Sequence, residues 1–103
     1  MFEPTRKLTT DKETALFLTI RRYLAKASGS LYRRGGYGER EESLAARFTE
    51  LCADDLHCPF EPAAVDSALI EVRKEGATSD ELECIGEAWA RFRRVAKQNE
   101  VLF

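Results

Sequence analysis

The sequence predicts an all-α fold, a compact bundle of about four helices with a glycine-rich loop between the first and the second. Three observations predict it. Apolar residues recur at three- and four-residue spacing in four separate segments. Thr10-Asp11-Lys12-Glu13 and Thr78-Ser79-Asp80-Glu81 each read as a capping box, the signature of a helix start. No stretch shows the two-residue alternation and β-branched enrichment of a strand.

Residues 1–8 read as a short, poorly tied, flexible tail. Behind the first capping box, Leu16, Ile20, Tyr23, Leu24 and Ala27 fall on one stripe of a first helix, which Ser28-Gly29-Ser30 weakens or ends. Phe17 and Leu18 widen that face, as contact with more than one neighbouring helix or with a partner requires. Four of the six glycines lie between Gly29 and Gly38, which makes that segment a loop. Glu39, Glu41 and Glu42 then open a second helix at the end where the dipole favours carboxylates. Its inner face is Leu44, Phe48, Leu51, Cys52 and Leu56, and it stops near Asp55 because Cys58-Pro59-Phe60-Glu61-Pro62 is incompatible with regular helix.

Pro62 fits the first turn of a third helix, where its missing N–H costs nothing. Val65, Ala68, Leu69 and Val72 form that helix's stripe, with Ala64 and Ile70 on its shoulders, and Gly76 caps its end. Ile85, Ala88, Trp89, Phe92, Val95 and Ala96 line a fourth. The short turn at Gly76–Thr78 predicts that the last two helices form an antiparallel hairpin.

At 103 residues, 44% hydrophobic and 33% charged, the chain reads as a single helical domain, 1–103, with enough apolar content for one core. No apolar run has signal-peptide or membrane-spanning length, so a cytoplasmic protein without membrane contact is expected. Three sparsely placed cysteines form no disulfide framework, and reduced thiols are expected. The net charge of −2 conceals an asymmetry. Residues 1–40 carry nine Lys/Arg against four Asp/Glu, residues 41–87 three against thirteen, and residues 88–103 four against one. An acidic middle between basic ends fits helices that dock on one another, or opposite-charge patches offered to partners.

The chemistry-bearing residues are few. Cys52, His57, Cys58 and Cys84 supply the four N/S ligands of a closed zinc site, but without the paired spacing of known zinc modules. Cys52 moreover lies on the apolar stripe, where a thiol is ordinary core filler. The expectation is therefore no metal and no cofactor, with a zinc-stabilised module as an alternative. His57 adjoins Cys58 in sequence, an arrangement that rarely aims both side chains at one point, and no hydrolase, metalloprotease or phosphate-binding motif occurs. No catalytic residue is assigned and the protein is expected not to be an enzyme.

Tyr32, Arg33, Arg34 and Tyr37 in the glycine-rich loop, with Arg21 and Arg22 on the preceding helix and Lys26 and Arg40 near them, mix cations with aromatic rings. That combination holds phosphates and stacks on bases, yet a pI near 5.5 runs against a nucleic-acid binder. Residues 63–75, with Asp66, Glu71 and Glu75 against Arg73 and Lys74, make no recognition helix. Another protein is the leading partner, bound through the Tyr32–Tyr37 loop and the acidic faces of helices two and three. Phe17, Leu18 and the terminal Val101-Leu102-Phe103 offer apolar surface for an interface or a homodimer. Nucleic-acid binding through the loop is the alternative. In size and character the chain resembles phage and mobile-element accessory or inhibitor proteins such as anti-CRISPRs, a likeness that rests on no motif.

Overall fold

The computed structural model describes residues 2–28, 38–57 and 59–102. Among these residues the chain forms four helices and no strand: α1 (Asp11–Ser28), α2 (Glu39–Ala53), α3 (Pro62–Lys74) and α4 (Ser79–Leu102). The radius of gyration, 13.1 Å, is that of a compact chain of about 100 residues. No helix among the described residues is long and apolar enough to cross a membrane.

Local chemistry sets the helix ends. At the start of α1 the Thr10 hydroxyl accepts from the Glu13 N–H at 3.1 Å, while Glu13 Oε2 accepts from the N–H groups of Thr9 at 2.8 Å and Thr10 at 3.4 Å. Thr78 and Glu81 repeat the box on α4, at 3.2 Å and 2.9 Å. Pro62 stands in the first turn of α3. That helix closes in a Schellman arrangement, Ala77 N–H to Val72 O at 3.0 Å and Gly76 N–H to Arg73 O at 3.1 Å. The closure needs Gly76 at φ 118°, where a side chain would be strained.

The core joins Leu16, Ile20 and Leu24 of α1 to Leu44, Phe48 and Cys52 of α2, and these to Val65 and Val72 of α3 and Ile85, Trp89 and Phe92 of α4. The predicted stripes fail only at their edges. Ala27 is exposed, and Ala25 is buried in its stead. Leu56 is 93% exposed because α2 has already ended at Ala53, so the helical period no longer places it. Ile70 and Val95 face solvent, while Ala96 lies outside the residues whose side chains are described.

Two expectations are overturned. Helices α3 and α4 do not form a side-by-side hairpin: the backbones that pack closely are α1 with α4, α1 with α2, and α2 with α3. The stripe of α4 is taken instead by α1 and by Phe60, whose ring stands 6.3 Å from that of Phe92. Phe60 reaches it from the α2–α3 connection, where its φ of 61° is a left-handed conformation unusual for a bulky residue. Its N–H is held by Cys52 O at 3.1 Å.

The N-terminal segment is likewise no loose tail. Phe2 is 3% exposed and belongs to the core cluster. Thr5 donates both its N–H, at 2.8 Å, and its hydroxyl to Glu50 Oε1. Arg6 bridges Glu13 at 2.9 Å and Asp54 at 2.8 Å. Residues 2–6 thus strap the start of α1 to α2.

Candidate functional site

The strap belongs to a network that absorbs much of the charge asymmetry. Arg6 forks between Glu13 and Asp54; its hydrogen bond holds the Glu13 carboxyl down at about 2, and the backbone N–H groups of Thr9 and Thr10 assist against the cost of burial. Arg47 is bidentate to Glu75, at 3.1 Å and 2.9 Å, and reaches Glu50 at 3.3 Å. Glu50 itself is 2% exposed, a buried carboxylate that accepts from both Thr5 and Arg47. Arg40 is bidentate to Glu81, at 2.7 Å and 2.8 Å, donates to Gly76 O at 3.0 Å, and lies 5.1 Å over the Phe2 ring. That pairing raises Arg40 and lowers Glu81 from their ordinary values. Arg21 donates to Glu42 at 3.3 Å. Arginines of the basic N-terminal part therefore neutralise carboxylates of the acidic middle inside the molecule.

A different environment lies along the other flank of α1. An open groove of about 750 Å³ runs between α1 and α4. Leu18, Arg22 and Lys26, at four-residue spacing, form its α1 rim, and Thr19, Tyr23 and Ala27 form the row beneath. Cys84, Glu87 and Arg91 come from the facing side of α4. Leu18 is 44% exposed, a large apolar side chain at the mouth. Arg22, Lys26 and Arg91 form no ion pair with any described residue, although Glu87 shares the groove. A smaller groove of about 380 Å³ continues past Ala27 and Cys84 towards Leu24, Arg40 and Glu81.

The structure separates the two helical arginines singled out in the sequence. Arg22 lines the groove, whereas its neighbour Arg21 is turned to α2, over the Phe17 ring at 5.2 Å and against Glu42. Phe17 is half-buried against the core, so of the two residues that widen the α1 face only Leu18 is presented outward. Tyr32, Arg33, Arg34 and Tyr37 lie outside the described residues, as do the rest of the loop from Gly29, Cys58 and Phe103; so do the side chains of Val101 and Leu102.

Among the described residues no three His, Cys, Asp or Glu side chains are grouped to hold a metal. Of the zinc candidates, Cys52 is fully buried on α2, Cys84 is half-buried on α4, and His57 is exposed in the α2–α3 connection, its N–H donating to Asp55 Oδ1 at 2.9 Å. Burial, with a contribution from Asp55, pushes the Cys52 thiol up to about 12. Burial and then Glu87, Glu83, Asp80 and Glu81 raise that of Cys84.

The sequence places Arg22 and Lys26 near the loop and Glu13 in a capping box, but does not announce Arg91 across the groove, the pairing of Glu13 with Arg6, or the burial of Glu50. The recurrence Leu18–Arg22–Lys26 was a visible signal, a second stripe on α1 beside the core stripe. The chain matches no protein-family model, no curated protein and no solved structure.

Proposed function

We propose that this protein acts without chemistry of its own, by binding another protein, and that the groove between α1 and α4 is its contact surface. The observation that carries this reading is the unequal use of cations. Arg6, Arg40 and Arg47 are consumed in joining the fold together, whereas Arg22, Lys26 and Arg91 line an open groove without an ion pair among the described residues. Cations without an ion pair among the described residues, set around a groove with the half-exposed Leu18 at its mouth, offer binding energy to a partner. The role that suits such a chain is that of an accessory or inhibitor protein, of the kind phages and mobile elements encode, which works by covering a partner's surface.

The test is site-specific photo-crosslinking in the cells that produce the protein. A benzophenone side chain at Leu18 is expected to yield one discrete protein adduct, lost when Arg91→Glu is added, and the same probe at Ile70 on α3 is expected to yield none. The adduct, identified by mass spectrometry and purified, should then form a stoichiometric complex with the unmodified protein. An adduct with nucleic acid, or with a second copy of this chain, would replace the reading by nucleic-acid binding or homodimerisation; equal labelling at both positions would remove the groove from it.

A further inference from the structure

Resting on that reading, we infer that the partner segment seated between α1 and α4 is an amphipathic helix carrying carboxylates beside its apolar stripe. The first argument is the nature of the walls. Both are α-helices, whose backbone N–H and C=O groups are engaged within the helix, so the groove offers no sheet edge to an extended peptide. Recognition must run through side chains, as when a helix lies in a groove.

The second argument is dimension. Leu18 to Ala27 spans nine helical steps, about 13 Å at roughly 1.5 Å per residue, which accommodates between two and three turns of a docked helix. Ala27 and Cys84 are small lining side chains that leave room for a docked helix to approach, and Leu18 supplies an apolar contact at one end.

The third is charge. Arg22 and Lys26 are four residues apart on one wall, a rise of about 6 Å, and carboxylates four apart on a partner helix repeat that rise. Arg91 faces them from α4. A nucleic-acid backbone fits less well: Glu87, one turn before Arg91 on the same wall, would confront a continuous line of phosphates, whereas a helix can place a neutral or basic residue opposite it.

The probe is a lactam-bridged helical peptide with leucines at i, i+4 and i+7 and glutamates at i+1, i+5 and i+8, titrated into the full-length isotope-labelled protein. Versions with lysine or glutamine in place of glutamate, and a single-stranded oligonucleotide, serve as comparisons. The acidic helix is expected to shift amide resonances within 18–27 and 84–91. Its affinity should fall at least tenfold in the Arg22→Glu, Lys26→Glu variant, which should instead take the lysine peptide. Arg73→Glu with Lys74→Glu, exposed on α3, should leave it unchanged, and added salt should weaken it.

Equal binding of the lysine or glutamine peptide, shifts away from the groove, or tighter binding of the oligonucleotide there would each overturn the inference. The two levels fail separately. If crosslinking from Leu18 captures a protein that then binds purified, while the acidic helix does not bind, protein recognition stands and the helical, acidic occupant falls. If the adduct is nucleic acid, both fall.

Discussion

The two flanks of α1 hold cations in opposite circumstances. On the flank facing α2, Arg6 and Arg21 reach carboxylates of α2 and Arg47 ties that helix to Glu75, so charge there joins segments far apart in sequence. On the flank facing the α4 groove, Arg22 and Lys26 of α1 and Arg91 of α4 line the opening without an ion pair among the described residues. The difference separates residues that make the structure from residues that the structure presents. Substitutions on the first flank should cost stability and spare binding, and those on the second should do the reverse.

The largest stability effect is expected at the anchor of the strap. Phe2→Ala removes a ring from the core and is expected to cost about 3 kcal/mol, the lower end of the range for a buried Phe. Leu18→Asp, in the groove, should stay within about 0.5 kcal/mol of the parent while abolishing the crosslink-defined complex. Urea unfolding of the pair measures both; a groove variant that destabilised as much as Phe2→Ala would erase the distinction between the flanks. Next comes Glu50→Ala, which strands the Thr5 donors and leaves Arg47 with Glu75 alone. A loss of about 2 kcal/mol is expected, read by the same method.

Acid sharpens the comparison further. Glu13 has its folded value lowered to about 2, below the ordinary carboxylate range. Its contribution is therefore complete above that range and is lost as pH falls through it towards 2, because the unfolded chain takes up the proton first. Arg6→Ala removes the main cause of the shift and should move the acid-unfolding midpoint to higher pH, followed by circular dichroism. Arg22→Ala should leave the midpoint where it is. A matching displacement in Arg22→Ala would mean that groove cations stabilise the fold after all.

What could be read from the sequence divides along the same line. Capping boxes, Pro62 at a helix start, Gly76 at a helix end and the stripes through Leu16, Phe48, Val72 and Ile85 are local signals, written within a few residues, and each appears in the structure. The misread features are those set by partners distant in the chain. Phe2 has no local pattern to announce burial, and Arg40, which lies over its ring, is thirty-eight positions away. Glu50 reads as one more carboxylate on an acidic helix until the strap delivers Thr5 to it. Turn length alone predicts a hairpin of α3 and α4, whereas α1 packs along α4 and Phe60 stands against Phe92, contacts that no local signal announces. The groove was half legible, since its α1 rim is a helical stripe while Arg91 joins it only through the packing of α1 on α4.

The smallest effects test whether the groove ends where α4 turns away from it. An added Cβ would meet nothing within 4 Å at either Gly76 or Gly86, so steric space does not distinguish them; backbone conformation does. Gly76 sits at φ 118°, and Gly76→Ala should cost about 1 kcal/mol or more through strain. Gly86 lies inside α4, and Gly86→Ala should stabilise by about 0.5 to 1 kcal/mol by reducing the freedom of the unfolded chain. At about 100° per residue, Gly86 points well away from the face shared by Cys84, Glu87 and Arg91, so affinity for the acidic helical probe should not change. A variant that gained stability yet lost the probe would show that the partner wraps beyond the groove, onto a surface of α4 where glycine leaves room for it.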